Sequence, residues 1–265
     1  SEGNGLTEST MKGRKFMRRK VEEYLRSTGR LNIAMLEVDL DFCRGFINFL
    51  RTAKNRRLKS EERTISNCTG LQTQAVFTAA LNTALRDGII ERNPMTLLTS
   101  KERFHQQEST RVYLTIDELK RMMATPCDDG ELKKAFLFAC FTGLRLSDIR
   151  TFTWNKVLTT PNDSTRYIRV RMLKTQQVVN VPLSKDALGY LRETEDGDEP
   201  IFRLSSAASV IEQRLAEWAK NAGIEKHVTF HVSRHSYATM MLTIGVDIYT
   251  VSKLLCLLYT SDAAD

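Results

Sequence analysis

The sequence predicts a mainly α-helical protein that carries a small β-hairpin or sheet in its second half. Apolar residues recur at three- and four-residue spacing along most of the chain, as in Phe42, Phe46 and Phe49, which is the period of an amphipathic helix. Over residues 167–183 the period changes to two, which indicates strands. A length of 265 residues is enough for two domains, each with its own core.

The first part of the chain is predicted to hold a short polar segment and then a helical bundle. Residues 1–30 are basic and rich in Ser, Thr and Gly, so we expect a linker or the tail of an upstream element. Helices are expected from about Leu36, over residues 62–68 and over residues 71–85. An Asn-Pro pair at residues 93–94 then ends the bundle.

The second part begins after a polar stretch, residues 100–111, which we expect to link the two domains. Thr115 followed three residues later by Glu118 forms a capping box, so a helix is predicted to start there. A buried apolar helix is expected over residues 132–141, and a short helix over about residues 147–154.

The predicted strands follow. Ile168, Val170 and Met172 alternate with polar residues, and the same alternation returns over residues 179–183. A polar turn at residues 174–177 separates them, so the pattern predicts a β-hairpin. Further helices are expected over residues 185–191, 207–221 and 231–242, with a last one after Asp247.

Composition excludes several classes of protein. The longest apolar run, residues 135–141, is far too short to cross a bilayer, and the polar N-terminus lacks a signal-peptide pattern. Five cysteines are scattered without a CxxC pair, which favours reduced thiols over a disulfide scaffold or a zinc ribbon. We therefore expect a cytoplasmic protein that does not associate with membranes. A start at Ser1 favours a fragment of a longer protein.

The positive charge of the chain is confined to its first part. Residues 1–105 hold 19 Lys and Arg against 12 Asp and Glu, so the whole formal charge of +7 lies there. The excess fits either a solubilising surface or a segment that binds a polyanion and gains counterion-release free energy. Charge alone does not decide between them.

The chain carries four cationic or titratable residues that together suit one phosphate diester: Arg145 in TGLRLSD, Lys174 in MLKTQQ, and His231 and Arg234 in HVSRH. Attack on a phosphodiester builds negative charge on its oxygens, which the fork-shaped donors of arginine stabilise. Proton transfer to a leaving hydroxyl needs a titratable group such as histidine or lysine. His231, Arg234 and His235 share one face near a helix N-terminus, where a bound anion is favoured.

Each of these residues also has an ordinary alternative. An arginine after a glycine, such as Arg145, is often a surface or salt-bridge residue, and a hairpin lysine such as Lys174 is usually solvated. His231 and His235 could form a metal pair, but there is no HExxH glutamate and no third ligand at a recognisable spacing. We expect no metal, and we interpret His235 as a packed histidine behind the site.

The segments FTGLRLSDI, LKTQQVVNVPL and HVSRHSYATMMLTIGVDIYTVSKLL resemble the catalytic domain of the tyrosine recombinases, the phage and transposon integrase family, in the style of Bacteroides-type mobile elements. The resemblance covers roughly residues 35–255. It implies a helical, SAM-like core-binding domain over residues 31–105 and an α+β catalytic domain over residues 106–265. Residues 1–30 would then be a linker or the remnant of an arm-binding region.

The resemblance also implies an activity and its partners. Family members recombine DNA site-specifically through a 3′-phosphotyrosyl intermediate, bind inverted-repeat core sites in double-stranded DNA as homo-oligomers, and need no cofactor. By position, Arg145 and Arg234 resemble the arginines that grip the scissile phosphate. Lys174 resembles the hairpin general acid, and His231 resembles the residue that assists proton transfer. Asp148 resembles the acidic residue that buttresses the first arginine.

The resemblance stops after Leu255. The family continues with Gly-His, or Gly and another donor, and then a tyrosine, whereas this chain has Cys256 and Leu257. Tyr259 follows Arg234 by 25 residues, which is shorter than the family spacing and suits in-line attack poorly. Three explanations stay open: truncation or an altered junction after Leu255, a relocated nucleophile at Tyr259, or an inactive relative that still binds DNA.

Two other functions are compatible with parts of the sequence. A non-catalytic relative could use the same DNA clamp as a repressor or competitor. A helix-turn-helix transcription factor would account for the basic charge, but it would leave the four residues of the constellation unexplained.

Overall fold

The computed structural model describes residues 8–55, 64–107, 111–161, 165–173, 176–192 and 197–255. The chain divides into two compact units, unit 1 (Ser1–Ser109) and unit 2 (Thr110–Asp265). The described residues are mostly helical and include a three-stranded sheet, which confirms the mainly α class with a small sheet. None of the helices in the described ranges is long and apolar enough to cross a membrane.

Unit 1 is built from helices around one apolar core. Its elements within the described ranges are α1 (Glu8–Ser27), α2 (Leu40–Thr52) and α3 (Asn67–Arg86), with 3₁₀ helices at Met35–Glu37, Pro94–Leu97 and Ser100–Glu102. Asp39 caps α2 by accepting a hydrogen bond from the backbone N of Phe42, and Ser66 caps α3. The predicted apolar stripe of α2 is the buried side of that helix, with Phe46 and Leu50 fully enclosed.

Within residues 1–30, interpreted as a linker or the tail of an upstream element, the structure corrects the part over α1 (Glu8–Ser27), because this helix packs against the core of unit 1. Phe16, Met17, Val21, Tyr24 and Leu25 form its apolar contacts with that core. On the same helix Lys20 is buried and donates from Nζ to Glu23 at 2.8 Å and to the carbonyl oxygen of Lys54 at 3.1 Å. The basic residues between these positions obscured the helical period.

Two further predictions in this unit need correction. Of the helix predicted over residues 62–68, residues 64–66 are not helical, because Thr64 pairs with Lys54 in an isolated β-bridge and Ser66 is the cap of α3. Residues 61–63 lie outside the described part of the chain.

The first half of the predicted linker, residues 100–111, is part of unit 1. Phe104 is buried in the core and its backbone N donates to Gln74 at 2.8 Å, while Arg44 binds Glu102.

Unit 2 surrounds the buried helix α5 with helices and one small sheet. Its helices within the described ranges are α4 (Ile116–Ala124), α5 (Gly130–Thr142), α6 (Leu146–Arg150), α7 (Lys185–Gly189), α8 (Ala208–Asn221), α9 (Phe230–Thr243) and α10 (Ile248–Leu254), with a 3₁₀ helix at Trp154–Lys156. Phe136 on α5 meets Trp218 of α8 and Phe230 of α9 edge to face, and these contacts fix α9 against the core. The helix predicted to reach residue 154 is shorter, since α6 ends at Arg150.

The sheet contains the predicted hairpin and one strand that was not predicted. Its strands are β1 (Val157–Thr159), β2 (Arg166–Arg171) and β3 (Val178–Pro182), in the antiparallel order β1-β2-β3. Ile168 pairs with Val181 and both are fully buried, so the period-two alternation identified the inward face correctly. β1 escaped prediction because three residues are too few to display a period.

Candidate phosphate site

One pocket of unit 2 brings together three of the predicted site residues. It has a volume of about 260 Å³, and Arg145, His231 and Arg234 line it together with Leu144, Leu146, Ser147, Glu212 and Phe230. The lining comes from the turn between α5 and α6 and from α8 and α9. Residues far apart in the sequence thus meet in one concave site that holds two arginines and a histidine.

Arg145 directly precedes α6 and is half-buried. Its Nη1 atom is buried and has no hydrogen-bond partner among the described residues. A buried guanidinium N–H without a partner is costly, and an anion bound in the pocket would satisfy it. Arg145 is therefore suited to contact a ligand directly rather than to brace the fold.

Arg234 lies one helical turn after His231 on α9 and is 4% exposed. Its Nη1 donates to the carbonyl oxygen of Gly143 at 2.7 Å, and its Nη2 donates to the carbonyl oxygen of Leu255. These bonds tie the guanidinium to the end of α5 and to the end of α10. The orientation of the guanidinium is thus set by backbone on two sides.

The contact with Gly143 depends on a glycine at that position. Gly143 ends α5 with φ of +69°, in the left-handed region that side chains rarely adopt. A Cβ there would lie 2.6 Å from Cδ2 of Leu255 and 2.6 Å from Cδ1 of Tyr237. Tyr237 is buried, and burial raises its pKa to about 12, so it remains a neutral packing residue.

The two histidines of α9 lie side by side, with ring centroids 4.6 Å apart in an edge-to-face arrangement. His231 is exposed at the pocket, whereas His235 is half-buried behind it. Burial lowers the pKa of His235 below its ordinary value, and the positive charges of Arg111 and Arg234 lower it further. His235 is therefore neutral at pH 7.

Asp148 is buried on α6 and connects this helix to the hairpin. Its Oδ1 accepts a hydrogen bond from the backbone N of Leu173 at 2.9 Å, and its Oδ2 has no partner among the described residues. The resemblance implied a buttress for Arg145, but the hydrogen bond of this carboxylate goes to the hairpin. Lys174, the residue after Leu173, lies outside the described residues.

The described residues on either side of Lys174 are joined by hydrogen bonds. Gln176 has φ of +59°, its backbone N donates to Met172 at 2.8 Å, and its Nε2 donates to the carbonyl oxygen of Leu173 at 2.9 Å. Met172 is fully buried, so the base of the turn is held in the core of unit 2. The described residues that flank Lys174, Leu173 and Gln176, are therefore bonded to each other and joined to the core through Met172.

Sequence reasoning missed two charged residues in this region. Glu212 of α8 lines the pocket, and its Oε1 accepts from the backbone N of Phe230 at 3.4 Å. Lys156 donates to the carbonyl oxygen of Thr151, and burial lowers its pKa while the charge of Asp148 opposes that change. No pattern in the sequence distinguishes either residue from the solvated charges beside it.

Metal binding by the histidine pair finds no support in the described part of the chain, where no group of three or more His, Cys, Asp or Glu side chains could hold an ion. The remaining sequence prediction, Tyr259 as a relocated nucleophile, falls outside the described residues, as do Cys256 and Leu257.

Comparison with known proteins assigns both units to one family. Residues 112–256 match the model described as "Phage integrase family", and residues 1–104 match "Phage integrase SAM-like domain". A tyrosine recombinase of Thermosipho africanus is 29% identical over 178 residues, which cover 63% of this chain and 60% of the relative. The tyrosine recombinase XerC of Neisseria meningitidis serogroup B is 32% identical over 164 residues, which cover 57% of this chain and 53% of the relative.

Solved structures share the fold. A lambda integrase dimer bound to a COC′ core site superposes with a TM-score of 0.72 at 18% identity, covering 96% of this chain and 86% of that one. The Tn1549 transposon integrase in complex with transposon right-end DNA gives a TM-score of 0.67 at 19% identity. The match covers 95% of this chain and 86% of that one. The chain belongs to the phage integrase family of tyrosine recombinases. It spans only 60% and 53% of the length of the two curated relatives described above.

Proposed function

We propose that the protein recombines double-stranded DNA site-specifically by transesterification through a 3′-phosphotyrosyl intermediate. The observation that carries this proposal is the pocket where Arg145, His231 and Arg234 meet, two arginines and a histidine around a space of about 260 Å³. Fork-shaped cationic donors match the oxygens of a phosphate whose negative charge increases during attack.

In the proposed reaction each residue has one task. Arg145 and Arg234 donate N–H groups to the non-bridging oxygens of the scissile phosphate. A tyrosine oxygen gives up its proton to the imidazole of His231 and forms a bond to phosphorus as the bond from phosphorus to the 5′-oxygen breaks. Lys174 gives its proton to that leaving oxygen, and His231 assists the transfer. The bond energy is kept in the phosphotyrosine, so the reverse step can rejoin DNA without a cofactor.

We further propose a division of tasks between the two parts of the chain. Unit 1, with α1 as part of its core, would form the core-binding domain, and unit 2 would form the catalytic domain. The confinement of the +7 charge to residues 1–105 supports contact of the first part with DNA. The substrate would be inverted-repeat core sites held by several copies of the chain, and the cytoplasm would be the place of action.

The tail motivates a second candidate function. Cys256 and Leu257 stand where the family pattern has glycine and a further donor, and Tyr259 is displaced from the family position. A chain without a well-placed nucleophile would bind core sites without cutting them, as a repressor or competitor. Both candidates require the same phosphate pocket, so they differ only in whether strand cleavage occurs.

Trapping with nicked suicide duplexes that carry a randomised core sequence separates the candidates. If the chain recombines DNA, the wild type should form an SDS-stable DNA adduct, and Arg145→Gln should not. Arg214→Gln is the control and should still form the adduct, because Arg214 binds Asp129 and does not line the pocket. If Tyr259→Phe also abolishes the adduct, Tyr259 is the nucleophile. Duplex binding without any adduct would favour the non-catalytic candidate, and loss of both would contradict both.

A further inference from the structure

The segment that leads into α4, residues 111–114, is fixed against the helix of the phosphate pocket. The backbone N of Leu114 donates to Oγ of Ser236 at 2.8 Å, and both residues are buried. Ser236 belongs to α9 and directly follows His235. Val112 packs against the core of unit 2 and holds the segment from a second point. The segment therefore has a defined place beside α9.

Burial alternates along this segment and turns Arg111 outward. Arg111 and Tyr113 are exposed, whereas Val112 is half-buried and Leu114 is buried. Three residues of chain span at most about 10 Å, so Arg111 stays near the point where Leu114 is bonded to α9. The charge of Arg111 lowers the pKa of His235, which places the guanidinium within electrostatic reach of that imidazole. Arg111 is thus a surface cation beside His235.

The charge of Arg111 is not matched by an ion pair within the described part of the chain. Glu118, at the start of α4, is bound to Lys226 at 2.6 Å instead. The pKa of His235 is lowered by burial first and then by the like charges of Arg111 and Arg234. Positive groups held this close repel each other, so an anion bound at Arg111 would relieve part of that repulsion.

A DNA strand that occupies the pocket supplies such an anion. The phosphates of one strand follow each other about every 3.4 Å along the helix axis, so neighbours of the bound phosphate lie close to the edge of the pocket. His231 is exposed at the pocket, and the ring of His235 lies 4.6 Å from it. Arg111, beside His235, lies at that edge.

We propose that Arg111 binds a second phosphate of the DNA strand, next to the phosphate held by Arg145 and Arg234. The pocket then grips the scissile phosphate, and Arg111 fixes the direction in which the strand crosses α9. Phosphate contacts of this kind set the register and orientation of a protein on DNA rather than its sequence preference. The inference rests on the proposed DNA function and adds a contact outside the pocket.

The salt dependence of duplex binding counts the phosphates that the protein neutralises. Each one contributes about 0.9 to the slope of the logarithm of affinity against the logarithm of salt concentration. Arg111→Gln should weaken duplex binding and lower that slope by about 0.9. The double variant with Arg145→Gln should lower it by about 1.8, because the two arginines bind different phosphates.

Two further variants serve as controls. Arg121→Gln replaces an exposed arginine of α4 in the same unit, whose Nη1 donates to the carbonyl oxygen of Gly223 at 3.2 Å, and it should leave the slope unchanged. Arg111→Lys keeps the positive charge and should retain most of the slope. The lysine variant thus separates loss of charge from a disturbance of the segment.

The place of Arg111 can also be tested without DNA, by titrating the imidazole of His235 by NMR. His231 and Arg234 are the other titratable or charged groups that the described part of α9 places beside this ring. Arg111→Gln removes one charge that lowers the pKa of His235, so the midpoint should rise, and Arg111→Lys should leave it near the wild-type value. The chain has four histidines, and His235→Gln assigns the signal.

The proposal is overturned by an unchanged His235 midpoint or by an unchanged slope in Arg111→Gln. A double variant that loses only about 0.9 would also overturn it, since both arginines would then bind one phosphate. A wild-type chain that binds no duplex contradicts the DNA function and this proposal together. A chain that loses slope in Arg145→Gln but not in Arg111→Gln keeps the DNA function and contradicts the second phosphate alone.

Discussion

Substitution of Gly143 should disturb the phosphate site more than its small size suggests. Gly143 ends α5 in a left-handed conformation, and its carbonyl oxygen accepts from Arg234. A Cβ at this position would approach side-chain atoms of Leu255 and Tyr237 to 2.6 Å, closer than carbon atoms can come. Gly143→Ala therefore combines backbone strain with overpacking at the residue that orients a predicted phosphate-gripping arginine.

Backbone strain and overpacking both lower the free energy of unfolding, and the size of each can be worked out separately. A non-glycine residue in the left-handed region costs about 1–2 kcal/mol. Overpacking a tight interior costs about 1–3 kcal/mol more, since Leu255 and Tyr237 must move. Gly143→Ala is thus expected to lower the free energy of unfolding of unit 2 by about 2–5 kcal/mol in total.

Gly223 provides a matched control in the same unit. It has φ of +67°, and a Cβ there meets only Nη1 of Arg121 at 3.7 Å, an ordinary contact. Gly223→Ala should therefore cost only the backbone strain of about 1–2 kcal/mol. Equal losses in the two variants would refute the argument that close packing at Gly143 is needed.

Urea unfolding followed by tryptophan fluorescence measures both losses. The chain has two tryptophans, Trp154 and Trp218, and both belong to unit 2, so the signal reports on that unit. Midpoint changes convert to free energies where the slope of the transition stays constant.

Three further outcomes are expected. Asp148→Ala should destabilise unit 2 by about 1–3 kcal/mol in the same urea assay, because it removes the acceptor of Leu173. Hydrogen bonds from Thr99 and Arg44 lower the pKa of Glu102 from 4.5 to about 2, so unit 1 should lose stability as pH falls from 4.5 towards 2. Thermal unfolding measured across this pH range should show no such loss of stability in Glu102→Gln. In a thiol-labelling assay the exposed Cys68 should react well before the buried thiols.

Much of the fold could be predicted because burial leaves a period in the sequence. The alternation around Ile168 and Val181 predicted the hairpin, and the spacing of Phe42 and Phe46 predicted the buried side of α2. The pocket residues Arg145, His231 and Arg234 were identified by local context and family resemblance, and unit 2 brings all three together. The order of these residues along the chain does not give the distances between their side chains in the folded protein.

The parts that escaped prediction depend on tertiary contacts. α1 was taken for a linker because its apolar positions, such as Met17, Val21 and Tyr24, lie among basic residues, although their spacing is helical. Residues 100–105 are polar, yet Phe104 binds them to the core of unit 1. Glu212 looks like any charge on a surface helix until α9 is placed against α8.

The central claim is that Arg145 contacts a DNA phosphate, and the salt dependence of DNA binding tests it most directly. Each phosphate neutralised by an arginine adds about 0.9 to the slope of the logarithm of affinity against the logarithm of salt concentration. Arg145→Gln is expected to weaken duplex binding and to reduce that slope by about 0.9, while Arg214→Gln leaves both unchanged. An Arg145→Gln variant that keeps the wild-type affinity and slope would contradict the account.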